Sequence, residues 1–128
     1  MIIFSSSKIL RNILGRNDFI NHFHSLLRSG VKIKILIDNE DNILLKQINT
    51  INDTNRLNTI QLNHSNKMIE FSECVIISDD KYILQSMYDR NNQLVAFFST
   101  EKYNILLQEI LFEKHWNEVE SLASITRN

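Results

Sequence analysis

The side chains able to bind a transition metal or attack an electrophile are few: His22, His24, His64, Cys74 and His115. A zinc-type site needs neutral imidazoles or thiolates at short fixed spacings, as in HxxxH, HExxH or CxxC, and none of these occurs. His22 and His24 stand two apart on a predicted helix and point to different faces. They read as solvated or partly buried helix histidines. Cys74 opens the apolar run Cys74-Val75-Ile76-Ile77, a setting in which a thiol is an inert core residue. No metal site and no cofactor are expected. The two glycines, Gly15 and Gly30, are far apart, so there is no glycine-rich loop to cradle a phosphate.

Three further groupings invite chemistry. His64-Ser65-Asn66-Lys67 places an imidazole near an ammonium, a pair suited to a phosphoryl group, although a loop histidine is more simply a solvated one. Asp79-Asp80 is acidic enough for a cation, yet adjacent aspartates between strands are ordinary turn formers. Lys32 and Lys34 share one strand face, as the solvated start of a sheet or as a small anion site. The first is preferred, because two lysines alone bind little.

Whatever elements position these groups belong to one domain. The chain has 128 residues, 43% of them hydrophobic and 23% charged, with 14 basic against 15 acidic residues and a net charge of −1. That balance predicts a single domain over 1–128. It leaves no positive field to hold a nucleic acid. One cysteine cannot make an internal disulfide, so a reducing, cytoplasmic setting is expected. No apolar run approaches the roughly 20 residues of a membrane span. The N-terminus lacks the basic and apolar regions of a secretion signal.

The periodicities predict the element order. Met1 to Ser5 reads as a buried strand. Ser6 or Ser7 caps a helix through Ile9, Leu10, Ile13 and Leu14. Gly15 and Asn17 break that pattern, and Asp18 caps a second helix with Phe19, Ile20, Phe23, Leu26 and Leu27 inside. Gly30 ends it in a left-handed conformation. Val31 to Ile37, β-branched and then fully apolar, enters a parallel sheet through a right-handed crossover. Asp38 or Asn39 caps a third helix with Ile43, Leu44, Ile48 and Ile51 on its inner face. Thr59 to Leu62 is a third strand, Asn63 to Asn66 a polar loop, and Lys67 to Phe71 an ambiguous segment that fits an edge strand. Strands at Glu73–Ser78, Lys81–Tyr88 and Gln93–Phe98 are separated by turns at Asp79-Asp80 and Asp89–Asn92. The fold class is therefore α/β: βαβαβ followed by an antiparallel meander, closed by a long helix that Ser99 or Thr100 caps.

That helix carries apolar residues at Leu106, Leu107, Ile110, Leu111, Trp116 and Val119. Phe112, Trp116 and Val119 form one stripe, with Glu109, Glu113, Glu118 and Glu120 facing out. The stripe fits packing on the chain's own sheet. It also fits a dimerisation and signalling helix, because Trp and Phe anchor such contacts.

Taken in order, several segments resemble the phospholipase D-like regulatory domains of archaeal signal-transduction histidine kinases and of sugar-responsive transcriptional regulators. They are Ile2-Ile3-Phe4-Ser5-Ser6; Ser29-Gly30-Val31-Lys32-Ile33-Lys34-Ile35-Leu36; the strand–turn–strand Val75 to Leu84; Ala96-Phe97-Phe98-Ser99-Thr100; and Leu111-Phe112-Glu113-Lys114-His115-Trp116. The resemblance covers nearly the whole chain. It implies a mixed sheet flanked by helices and pairing into a homodimer. Catalytic members of that wider family use His-x-Lys and, after four intervening residues, Asp, with His attacking phosphorus and Lys steadying the phosphoryl oxygens. With Asp79 as the Asp, Cys74 falls at the Lys position and Ser72 at the His position. With Asp80, the positions are Val75 and Glu73. Neither register supplies the nucleophile or the cation.

The expectation is thus a non-catalytic sensory module of a two-component system, a homodimer signalling through Phe112, Trp116 and Val119. A small ligand would bind a vestigial pocket at Ser72 and Cys74, or a polar cluster of Ser6, Asp38 and His64 near the strand ends. Two alternatives are a phosphodiesterase rearranged around His64 and Lys67, and a ligand-free protein-interaction domain.

Overall fold

The computed structural model describes residues 1–55, 59–68 and 71–126. Its element order is β1 (Ile2–Ser5), α1 (Ser7–Leu14), α2 (Asn17–Arg28), β2 (Ile33–Ile37), α3 (Asn42–Thr54), β3 (Ile60–His64), a 3₁₀ turn (Asn66–Met68), β4 (Glu73–Ser78), β5 (Tyr82–Tyr88), β6 (Leu94–Ser99) and α4 (Lys102–Thr126). The strands form one mixed sheet in the order β3-β2-β1-β4-β5-β6. The first three run parallel, and β4 turns antiparallel to β1 and leads the meander. Of the ambiguous segment Lys67 to Phe71, the beginning is the 3₁₀ turn rather than an edge strand. Residues 69 and 70 lie outside the described residues.

Alternation along the strands sorts the core into two layers. Ile3, Ile33, Ile35, Ile37, Ile60 and Cys74 face α1, α2 and α3. Phe4, Leu36, Val75, Ile77 and Ile83 face α4. At 1.5 Å per residue, α4 is about 37 Å long, enough to cross the sheet. Asn104 near its start donates to Gln85 on β5, and Glu120 far along it accepts from Asn63 on β3. Among the described residues, no helix is long and apolar enough to cross a membrane.

One of the expected caps is found and the others differ. Ser6 caps α1, its hydroxyl accepting from the Ile9 amide at 3.3 Å. Asp18 lies inside the first turn of α2, where its charge opposes the positive end of the helix dipole. Asp41, rather than Asp38 or Asn39, caps α3 by accepting from the Leu44 amide at 2.9 Å. The inward face is Leu44, Ile48 and Ile51, and Ile43, about 100° round the helix from Leu44, is exposed rather than inside. Glu101, rather than Ser99 or Thr100, closes the start of α4, its carboxylate accepting from the Tyr103 and Asn104 amides. Gly30 has the expected positive φ of 86°. Asp79 and Asp80 are both at φ 56°, the central residues of a type I′ turn that the Lys81 amide closes by donating to the Ser78 carbonyl at 3.1 Å.

Helix α4 buries Ile105, Phe112 and Trp116, with Val119 packed alongside. Leu106, Leu107, Ile110 and Leu111 are exposed. At about 100° per residue these two sets occupy opposite sides of the helix. Phe112 and Trp116 are therefore committed to this chain's own sheet, and the face of α4 open to another chain is the leucine-rich one.

Candidate functional site

Ligands of α/β sheets gather at the carboxyl ends of the strands, where the chain switches from building one side of the sheet to the other. Here that point lies between β1 and β4. The end of β1 meets the start of β4, Ser5 opposite Cys74, and the Ser6 amide donates to the Glu73 carbonyl at 2.8 Å. Beside it, Asp38 follows the last residue of β2.

Three serines and an aspartate converge here, and their bonding is internal. Ser5 is fully buried and donates to the Ser6 carbonyl at 2.7 Å. The Ser7 amide donates to Asp38 Oδ1 at 2.8 Å, and the Ser7 hydroxyl to Asn39 Oδ1 at 3.1 Å. With 7% of its surface exposed, Asp38 places its carboxylate against the N-terminal end of α1, where helix N–H groups and dipole favour an anion. The cluster fastens β2 to the start of α1.

Cys74 lies beneath this cluster and is fully buried. Burial pushes its thiol up from 9.0 to about 11, against a smaller opposing effect of the Ser5 hydrogen bond. It is no nucleophile at neutral pH, since the thiolate is the reactive form. Ser72 is exposed just before β4, so the proposed vestigial pocket has one wall in the core and the other in solvent.

His64 belongs to β3 rather than to a polar loop, and opposes Ile37, which in turn opposes Ser5. Two interstrand spacings, about 10 Å, separate it from Ser5. The structure thus holds Asp38 on Ser7, next to Ser6, and leaves His64 apart. With Ile37, Glu40, Asp41, Leu45, Leu62 and Asn63, His64 lines a shallow half-open cleft of about 110 Å³. That is well below the roughly 300–1,000 Å³ of sites for drug-sized ligands. Of its carboxylates, Asp41 is already held by the Leu44 amide and by Arg11 at 3.1 Å. Glu40 and His64 are exposed.

No protein-family model, curated protein or solved structure matches this chain.

The other groupings resolve into structural contacts. Lys67 pairs with Glu118 of α4 at 3.0 Å, on the opposite face of the sheet from the α3 side to which His64 belongs. Lys34 lies over the Trp116 ring, 5.4 Å from its centre, a cation–π contact rather than an anion site. His24 shares a hydrogen bond with Asn55, and His115 lies 3.9 Å from Glu118. Among the described residues no three His, Cys, Asp or Glu side chains group to hold a metal ion. One pairing the sequence did not signal is Glu109 on α4 with Asp80 in the hairpin turn. Burial first, then the charge and hydrogen bond of Asp80, raise the Glu109 pKa. No local motif could have found it, because the two residues meet only once α4 lies on the sheet.

Proposed function

We propose that this chain is a non-catalytic regulatory or sensory module of the phospholipase D-like kind, serving a signal-transduction histidine kinase or a similar regulator as a homodimer. The observation that carries the reading is the bonding at the switch point. Ser5, Ser6, Ser7 and Asp38 each hold a backbone or neighbouring group, and Cys74 is buried and protonated at neutral pH. That arrangement supports a site whose polar groups hold the fold together instead of meeting a substrate. The separation of His64 and Lys67 onto opposite faces of the sheet weighs against a rearranged phosphodiesterase, which needs both groups on one phosphorus.

The test is hydrolysis of an activated phosphodiester, bis(p-nitrophenyl) phosphate, by the purified protein. No release above buffer is expected. Turnover abolished by His64→Ala would refute the reading. The cleft beside His64 favours one refinement, a small polar ligand held by Glu40 and His64. A thermal-shift screen with sugars, nucleotides, phosphates, amino acids and divalent ions tests it. A folded-state ligand at a hundredfold excess over Kd adds about 2.7 kcal/mol of stability. A shift lost in Glu40→Gln and His64→Ala would establish the cleft as its site.

A further inference from the structure

We infer that two copies of this chain join through the open edge of β6, in antiparallel register about a two-fold axis at Ala96, giving one continuous sheet. The inference rests on the homodimer reading above and specifies its surface.

Strand β6 ends the sheet. The Asp89 amide donates to the Gln93 carbonyl at 2.9 Å, which fixes the phase of the β5–β6 ladder. In an antiparallel pair the bonded positions alternate. Tyr88 opposes Leu94 and Met87 opposes Val95, so Val95, Phe97 and Ser99 bond to β5. The N–H and C=O groups of Leu94, Ala96 and Phe98 then point away from the sheet. An edge of this kind is a template for another strand unless charge, proline or a bulge blocks it, and β6 reads Leu-Val-Ala-Phe-Phe-Ser.

The sequence of β6 is self-complementary about Ala96. With Ala96 opposite its own copy, the bonded pairs are Ala96 with Ala96 and Leu94 with Phe98. The intervening pairs are Val95 with Phe97. Each is apolar against apolar, on both faces of the joined sheet, and cross-strand pairs of this type stabilise a ladder. Gln93 and Ser99, the polar flanks, fall opposite one another.

The apolar side chains of the edge are open: Leu94, Phe97 and Phe98 are 44%, 59% and 66% exposed, and the paired register covers all three.

The experiment is sedimentation velocity of the whole chain across the micromolar range, for wild type and Ala96→Pro. Because the Ala96 N–H points outward, proline removes no bond of the native ladder but blocks the edge. The wild type is expected to dimerise, and Ala96→Pro to raise its dissociation constant by about tenfold or more with an unchanged circular dichroism spectrum. A second measurement does not depend on the proline variant folding. Ala96→Cys, whose Cα atoms would meet at about 5.5 Å across the axis, within disulfide range, is expected to cross-link under mild oxidation far faster than Asn91→Cys at the hairpin tip. A wild-type dimer with neither effect overturns the β6 interface and leaves the homodimer reading standing. A wild type that stays monomeric overturns the interface together with the homodimer reading, and leaves the non-catalytic reading to the hydrolysis assay.

Discussion

Asp38 separates a structural switch point from a binding one. Replacing Asp38 with Ala removes the acceptor of the Ser7 amide in a setting almost closed to water. A hydrogen bond to a charged group contributes about 1.5–3 kcal/mol. The loss of a negative charge beside a helix N-terminus adds about 0.3–1 kcal/mol. The expected cost is therefore about 2–4 kcal/mol, a large fraction of the 5–15 kcal/mol that holds a domain of this size together. Asp38→Asn keeps an oxygen facing the amide and is expected to cost about 1 kcal/mol or less. Asp41→Ala, which removes the α3 cap and frees a half-exposed Arg11, falls between them at about 1–2 kcal/mol. Urea titration followed by circular dichroism measures all three, with an unchanged slope showing that the denatured state is not what moved. An Asp38→Ala variant within about 0.5 kcal/mol of wild type would refute the reasoning, since the aspartate would then be free to serve a ligand.

Three other outcomes follow from the same structure. Cys74 should resist a thiol reagent at pH 8 until the chain unfolds, so that labelling tracks unfolding; rapid labelling of the native protein would show the thiol to be accessible. Glu109→Gln should raise the melting temperature at pH 7. The folded-state pKa of Glu109 is raised, so its favourable contribution is present at acid pH and lost as pH rises through that pKa; the gain over wild type should close on acidification, and a gain independent of pH would discount the Asp80 pairing. On α4, Trp116→Ala should cost about 3–5 kcal/mol and Leu107→Ser less than about 0.5 kcal/mol, both measured at dilution by denaturant titration; similar costs at the two positions would contradict the assignment of the helix faces.

The strands were legible because β-branched residues alternate or run together between turn-forming pairs, and all six lie within a few residues of their expected places. The topology of a parallel half followed by an antiparallel half was legible from helix-length and turn-length connections. The caps after that of α1 were not. Asp38-Asn39-Glu40-Asp41 offers several acceptors, and only the meeting of β2 with the start of α1 decides that Asp38 serves one helix and Asp41 another. Ile43 stands about 100° round α3 from Leu44, off the face that Leu44, Ile48 and Ile51 share, which is why it is outside and Leu44 inside. On α4 the stripe of Phe112, Trp116 and Val119 was legible as one face, and it does pack on the chain's own sheet; that Ile105 extends it, and that Leu106, Leu107, Ile110 and Leu111 stay exposed, follows from the surface that Phe4, Leu36, Val75 and Ile83 offer. Of the candidate site, Ser6 and Asp38 were placed together by the general habit of strand ends. His64 was not separable from them, since its distance depends on β2 standing between β3 and β1.

The path of α4 also bears on how the chain acquires its structure. Residues of β1, β2 and β3, with the helices that join them, lie together early in the sequence and can bury one side of the sheet among themselves. Phe4 and Leu36 on the other side have no cover until α4, which follows every strand, reaches back across the sheet to Asn63 and Lys67. Loop closure over such a span precedes the gain from it. Until α4 has followed the last strand, Phe4, Leu36 and Val75 therefore form an apolar surface with no cover of their own.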